Sequence, residues 1–106
     1  MSCYLLIESR DPFESKGFNQ HCELALTLLG ESNAVTLFLL ENAVLGARAG
    51  AKAAGLEKLA KAGVCLLADE FALRERGVTE LAPHVTAANL DAVIGELAGG
   101  AKALWN

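Results

Sequence analysis

A chain of 106 residues has the length of one ordinary domain, and surface scaling gives it a burial of roughly 65% of its unfolded area, enough for one core without staples. Apolar residues make up 53% and charged residues 21%, which excludes disorder and low complexity and leads us to expect a single domain over residues 1–106. With 13 acidic against 9 basic residues the net charge is −4, a balance that repels a phosphate backbone, so nucleic-acid binding is not expected.

Cys3-Tyr4-Leu5-Leu6-Ile7 is a continuous apolar run that stops at Glu8-Ser9-Arg10. Continuity rather than alternation predicts a strand buried on both faces, as in a parallel sheet. Phe18, Cys22, Ala25, Leu26 and Leu29 then recur at helical spacing, with Gly30 as the expected stop. Ala34 to Leu40 is a second buried strand, ending at Glu41-Asn42. Asn42 to Ala62 is rich in alanine but interrupted by Gly46, Gly50 and Gly55. Each interior glycine costs a helix about 1 kcal/mol relative to alanine, which predicts two shorter helices joined near Gly50 to Gly55. Only Arg48 and Lys52 carry charge between Val44 and Gly55, so the stretch from Ala43 to Ala54 is expected to form a self-association face.

Gly63 to Ala68 reads as a third strand ending at Asp69-Glu70, followed by a short helix to Arg76 that stops at Gly77. Pro83 to Val85 reads as a brief strand or turn. Leu90, Val93, Ile94 and Leu97 fit the i, i+3, i+4, i+7 pattern of an amphipathic helix, which Gly99-Gly100 ends before a last strand from Ala101 to Trp105. Strands alternating with helices predict an α/β fold, a mostly parallel sheet covered on both faces.

In such sheets ligands bind outside the carboxyl ends of the strands. Those ends carry Glu8-Ser9-Arg10, Glu41-Asn42 and Asp69-Glu70, the candidate ligand-binding residues. Convergence of Glu8, Glu41 and Asp69 on one rim would suit a metal- or phosphate-binding regulatory module. The competing reading is that strands end in polar residues where they reach water, with Asp69 capping the next helix. Cys3, Cys22 and Cys65 are odd in number, widely spaced and without a CxxC, which supports neither a zinc site nor a disulfide framework and suits a reducing cytoplasm. Cys65 in mid-strand and Cys3 at a strand start read as structural. His21 precedes Cys22, but adjacent helical positions point about 100° apart, a poor geometry for activating the thiol. There is no P-loop, GxGxxG, HExxH or GxSxG motif, and we expect no cofactor and no metal. The N-terminus lacks the basic start of a signal peptide, and no apolar run reaches the ~18 residues of a membrane span.

Three segments resemble the DsrE/DsrF/DsrH-like family, which includes the TusB, TusC and TusD sulfur-relay subunits. They are Pro12-Phe13-Glu14-Ser15 after the first strand, Phe38-Leu39-Leu40-Glu41-Asn42-Ala43-Val44, and Leu66 through Arg76-Gly77-Val78; Trp105 near the C-terminus is a further likeness. The resemblance implies a three-layer flavodoxin-like sandwich of about five strands in the order 2-1-3-4-5. It also implies oligomers, homotrimers or hexamers or assemblies with related subunits, with pockets near subunit boundaries and sulfur-relay proteins as partners. In DsrE-type members a cysteine at the end of the third strand carries a persulfide. Alignment on Arg76-Gly77-Val78 puts Asp69 there, and a carboxylate cannot carry sulfane sulfur. DsrH-type members have a cysteine on the first helix, near Cys22, and Asn42-Ala43 stands where Asp-Gly is more usual. The expected function is therefore a cytoplasmic sulfur-relay-related subunit that binds a partner or small ligand, with sulfur transfer through a Cys22 persulfide as the alternative.

Overall fold

The computed structural model describes residues 2–11, 13, 16–51 and 54–105. Pro12, Glu14 and Ser15 of the first resembling segment, and Lys52 and Ala53 of the expected association face, lie outside the described residues. The elements are β1 (Cys3–Glu8), α1 (Lys16–Gly30), β2 (Ala34–Leu39), a 3-10 helix (Glu41–Ala47), α2 (Ala54–Ala62), β3 (Cys65–Asp69), α3 (Glu70–Glu75), β4 (Val85–Ala88), α4 (Leu90–Ala98) and β5 (Lys102–Trp105).

All five strands join one parallel sheet in the order β4-β3-β2-β1-β5. The α/β class and the parallel five-stranded sheet are as expected, whereas the strand order differs from 2-1-3-4-5. β1 sits between β2 and β5, with Leu6 opposite both Leu37 and Leu104, and β3 pairs with β2 rather than with β1. Burial explains the difference. The order 2-1-3-4-5 would leave β2 at an edge, yet Val35, Leu37, Phe38 and Leu39 are all buried and need neighbours on both sides. The edges fall instead to the two four-residue strands, β4 with Thr86 and β5 with Lys102, short and partly polar as edges should be.

This order also decides which face each helix covers. From β1 to β4 every crossover steps to the next strand in the same direction, and right-handed steps of one direction place their helices on one face. Leu6, Leu37, Leu39, Leu66 and Ala68 point to that face, where Phe18, Ala25 and Leu28 of α1, Val44, Leu56 and Leu59, and Leu73 of α3 close the larger core. The last crossover runs back across the sheet, so α4 lies on the other face. There Leu5, Ile7 and Phe38 form a smaller core with Leu67 and Val93 of α4 packed against it. With one nine-residue helix on this side among the described residues, Leu90, Ile94 and Leu97 remain exposed along its outer surface.

Several boundaries moved for local reasons. The first of the two expected helices is a 3-10 segment whose Ala43, Val44, Gly46 and Ala47 are buried, so these residues belong to the core rather than to an exposed association face, while Arg48, Ala49 and Gly50 are exposed. Helix α1, by contrast, ends at Gly30 as expected; the turn after it puts Ser32 in the left-handed region (φ 67°), with Asn33 N–H donating to Leu28 C=O. The Arg76-Gly77-Val78 corner is a Schellman ending of α3. Gly77 has φ 66°, its N–H donates to Arg74 C=O, and the Val78 N–H donates to Leu73 C=O. Gly63 closes α2 in the same manner, which delays β3 to Cys65. The brief strand expected at Pro83 to Val85 lies instead at Val85–Ala88.

Candidate functional site

Strand β3 runs into α3 on one face of the sheet, and its neighbour β4 runs into α4 on the other. Where adjacent strands send their helices to opposite faces, a crevice opens between the helix starts. A cavity of about 610 Å³ lies at this point, within the range of small-molecule sites. One wall is apolar, from Leu40, Phe71 and Leu90. Phe71 and Leu90 are 60% and 61% exposed, unusual for large apolar side chains beside a cavity.

The floor is Asp69, the last residue of β3 and the N-cap of α3. Its carboxylate Oδ2 accepts the Ala72 N–H at 3.0 Å, and the residue is only 9% exposed. Capping is thus the geometry found, as one of the two sequence readings held. Glu41 and Glu70 line the same cavity, joined by Glu75 and Asp91, with Arg74 as the one basic lining residue among the described residues. Glu41 adopts φ 47°, a left-handed conformation that costs an L-residue roughly 1–2 kcal/mol, directly at the lip of the crevice. Asn42 does not line the cavity; its Oδ1 accepts from Arg76 Nε at 3.0 Å, tying the 3-10 helix to the end of α3.

Glu8 lies elsewhere. It is on the neighbouring strand end beyond β2, fully buried, with Oε2 3.0 Å from Nδ1 of the buried His21 and Oε1 accepting the Arg10 N–H at 2.9 Å. The expected convergence of Glu8, Glu41 and Asp69 is therefore not formed: two of the three acids share the crevice, and the third is turned into the core toward α1. Among the described residues no three His, Cys, Asp or Glu side chains group as a metal site would require. Ser9 and Arg10 continue the chain from Glu8 in this second region and are not among the crevice lining.

Cys22 is 7% exposed in the larger core, against Gly55 of α2. Burial, and secondarily the nearby Glu8 and Glu23 carboxylates, push its pKa up to about 12. At neutral pH it is a thiol, and thiolate is the nucleophile in sulfur chemistry. Cys65 is not core as expected: it opens β3 on the α4 side and is exposed, its pKa raised by partial burial and by Glu96. Cys3 is exposed as well.

Of the residues that line the crevice, sequence reading named Glu41, Asp69 and Glu70 and missed eight, Phe71, Asn89, Leu90 and Asp91 among them. Asn89 caps α4, its Oδ1 accepting the Asp91 N–H at 2.9 Å. A polar residue immediately before an amphipathic helix is a recognisable signal. The exposure of Leu90 was not recognisable, because its spacing fits a core stripe.

The structure is similar over its whole length to two solved structures. The ychN protein from E. coli matches with a TM-score of 0.90 at 20% identity, each chain covered fully. The protein of unknown function MTH1491 from Methanobacterium thermoautotrophicum matches with a TM-score of 0.87 at 12% identity, again over 100% of both chains. At these identities the likeness is one of fold. No protein-family model matches the chain, and no curated protein matches it in sequence.

Proposed function

We propose that this protein is a sulfur-relay-related subunit of the DsrE/DsrF/DsrH-like kind, which binds a small ligand or partner group in the crevice between α3 and α4 and does not itself carry sulfur. One observation carries this reading: at the strand end where the resembling proteins hold a persulfide cysteine, Asp69 forms the floor of an open, apolar-walled crevice. A carboxylate there can accept a hydrogen bond but cannot accept a sulfane sulfur. The site is shaped for binding while the chemistry of transfer is missing. The strained backbone of Glu41 at the lip agrees with this, since strain of that kind persists where a side chain is kept in place for use.

The subunit acts in the cytoplasm as an oligomer, with copies of itself or with related subunits. Support comes from the exposed stripe Leu90, Ile94 and Leu97 on α4, which gives an apolar surface beginning at the crevice. Such packing sets the crevice beside a subunit boundary. Among the described residues no helix is long and apolar enough to cross a membrane.

The test is incubation with a cysteine desulfurase and its substrate, then persulfide mapping by mass spectrometry. The expected result is no persulfide on any cysteine. A persulfide on Cys22 of the folded protein, absent in Cys22→Ser, would replace this reading with the sulfur-carrier alternative.

A further inference from the structure

Asp69 has a feature that capping does not use. One oxygen holds the Ala72 N–H, but Oδ1 accepts no hydrogen bond from any described residue. The residue is nonetheless more than nine-tenths buried and lines the cavity. Buried polar atoms are ordinarily satisfied, and an exception in a concave site points to a missing donor. The rest of the lining narrows the kind of donor. Glu41, Glu70, Glu75 and Asp91 surround the same space against Arg74 alone among the described residues, so the field favours positive charge. The helix starts offer little to an anion, because the Ala72 and Asp91 N–H groups are already taken by Asp69 and Asn89. Leu40, Phe71 and Leu90 supply an apolar wall for the remainder of the ligand.

We propose that the crevice receives a cationic N–H donor, an amine or guanidinium on an apolar stem, which donates to Asp69 Oδ1 and lays its stem against Phe71 and Leu90. The proposal rests on the binding reading above and names its ligand class. The same chemistry could arrive as a free alkylamine or guanidine or as a lysine or arginine side chain of a partner protein.

Both sources are testable on the whole protein by tracking backbone amide signals in ¹⁵N–¹H spectra. The probes are agmatine, a short neutral-ended peptide with arginine between two leucines, 1-pentanol as the uncharged analogue, and sodium sulfate. The expected result is a saturable shift of the Ala72, Leu90 and Asp91 amides with agmatine or the peptide, weakening as salt is raised; the tighter of the two identifies the source. Asp69→Asn keeps a capping oxygen but turns the open acceptor into an NH₂ donor. It should lower affinity at least about tenfold, the worth of one charge-assisted hydrogen bond, with the remaining spectrum unchanged. Glu41→Gln, at an exposed position, should weaken binding less and keep the salt dependence. Undiminished cation binding in Asp69→Asn would overturn the proposal. Saturation of the crevice by pentanol or sulfate but not by the cations would overturn it too, while leaving the binding reading in place. Crevice amides unmoved by every probe would overturn both.

Discussion

Glu8 and Asp69 occupy equivalent places in the chain, each an acid closing a continuous apolar strand, yet the protein uses them in opposite ways. Glu8 is drawn into the core, where His21 Nδ1 and the Arg10 N–H engage its two oxygens. Asp69 engages one donor and leaves the other oxygen on a crevice. The difference comes from the connection that leaves each strand. β1 and its neighbour β2 both send their helical connections to the same face, so α1 closes over Glu8. β3 and β4 send theirs to opposite faces, and a gap remains above Asp69. An acidic strand end thus becomes a structural pin or a candidate site according to the direction of the next crossover.

The sharpest way to break this comparison is to remove each acid in turn. Glu8→Ala leaves the buried His21 Nδ1 and the partly buried Arg10 N–H without their acceptor and should cost about 3–5 kcal/mol in denaturant unfolding, as loss of one partner from a buried pair does. That is a large share of the stability of a small domain. A cost below about 1 kcal/mol would mean that Glu8 is no pin.

A smaller effect concerns Cys22, which lies in the same closed region. Its pKa is raised in the folded protein to about 12 from 9.0, so the native state keeps its proton where the unfolded chain loses it. The stabilisation is complete below pH 9 and is lost as pH rises from 9 toward 12, with a slope of up to about 1.4 kcal/mol per pH unit. Unfolding curves between about pH 8 and 11 should show a loss that Cys22→Ala lacks. Equal slopes in the two proteins would show that the thiol is not buried in solution.

The mildest effect belongs to the open side. Asp69→Ala removes a cap and should cost roughly 0.5–2 kcal/mol, while Asp69→Asn should cost little, because asparagine caps equally well. A melting temperature that rises in Asp69→Asn would instead mean that repulsion among Glu41, Asp69 and Glu70 destabilises the protein, and the capping account would fall. Had Glu8→Ala and Asp69→Ala the same cost, the contrast between the two strand ends would disappear.

The sequence by itself determined the alternation of strands and helices, because burial on both faces demands continuous apolar runs and a half-buried helix demands its period of about 3.6 residues. Leu5 to Ile7, Val35 to Leu39 and the Leu90-Val93-Ile94-Leu97 pattern were legible for that reason. So was the cap at Asp69, whose bond to Ala72 spans three residues and needs no distant partner. Strand order was not legible in this way. It depends on which runs end at the sheet edges, a comparison among all five strands at once. The candidate site was half legible: its acids stood at strand ends, but only tertiary structure decided that Glu41 and Asp69 meet while Glu8 turns to His21, since the faces on which the helices lie set that choice. Periodicity likewise cannot tell Val93, packed on the sheet, from Leu90 and Ile94 on the outside of the same helix. That distinction is set by the sheet beneath one side of α4 and the absence, among the described residues, of anything over the other.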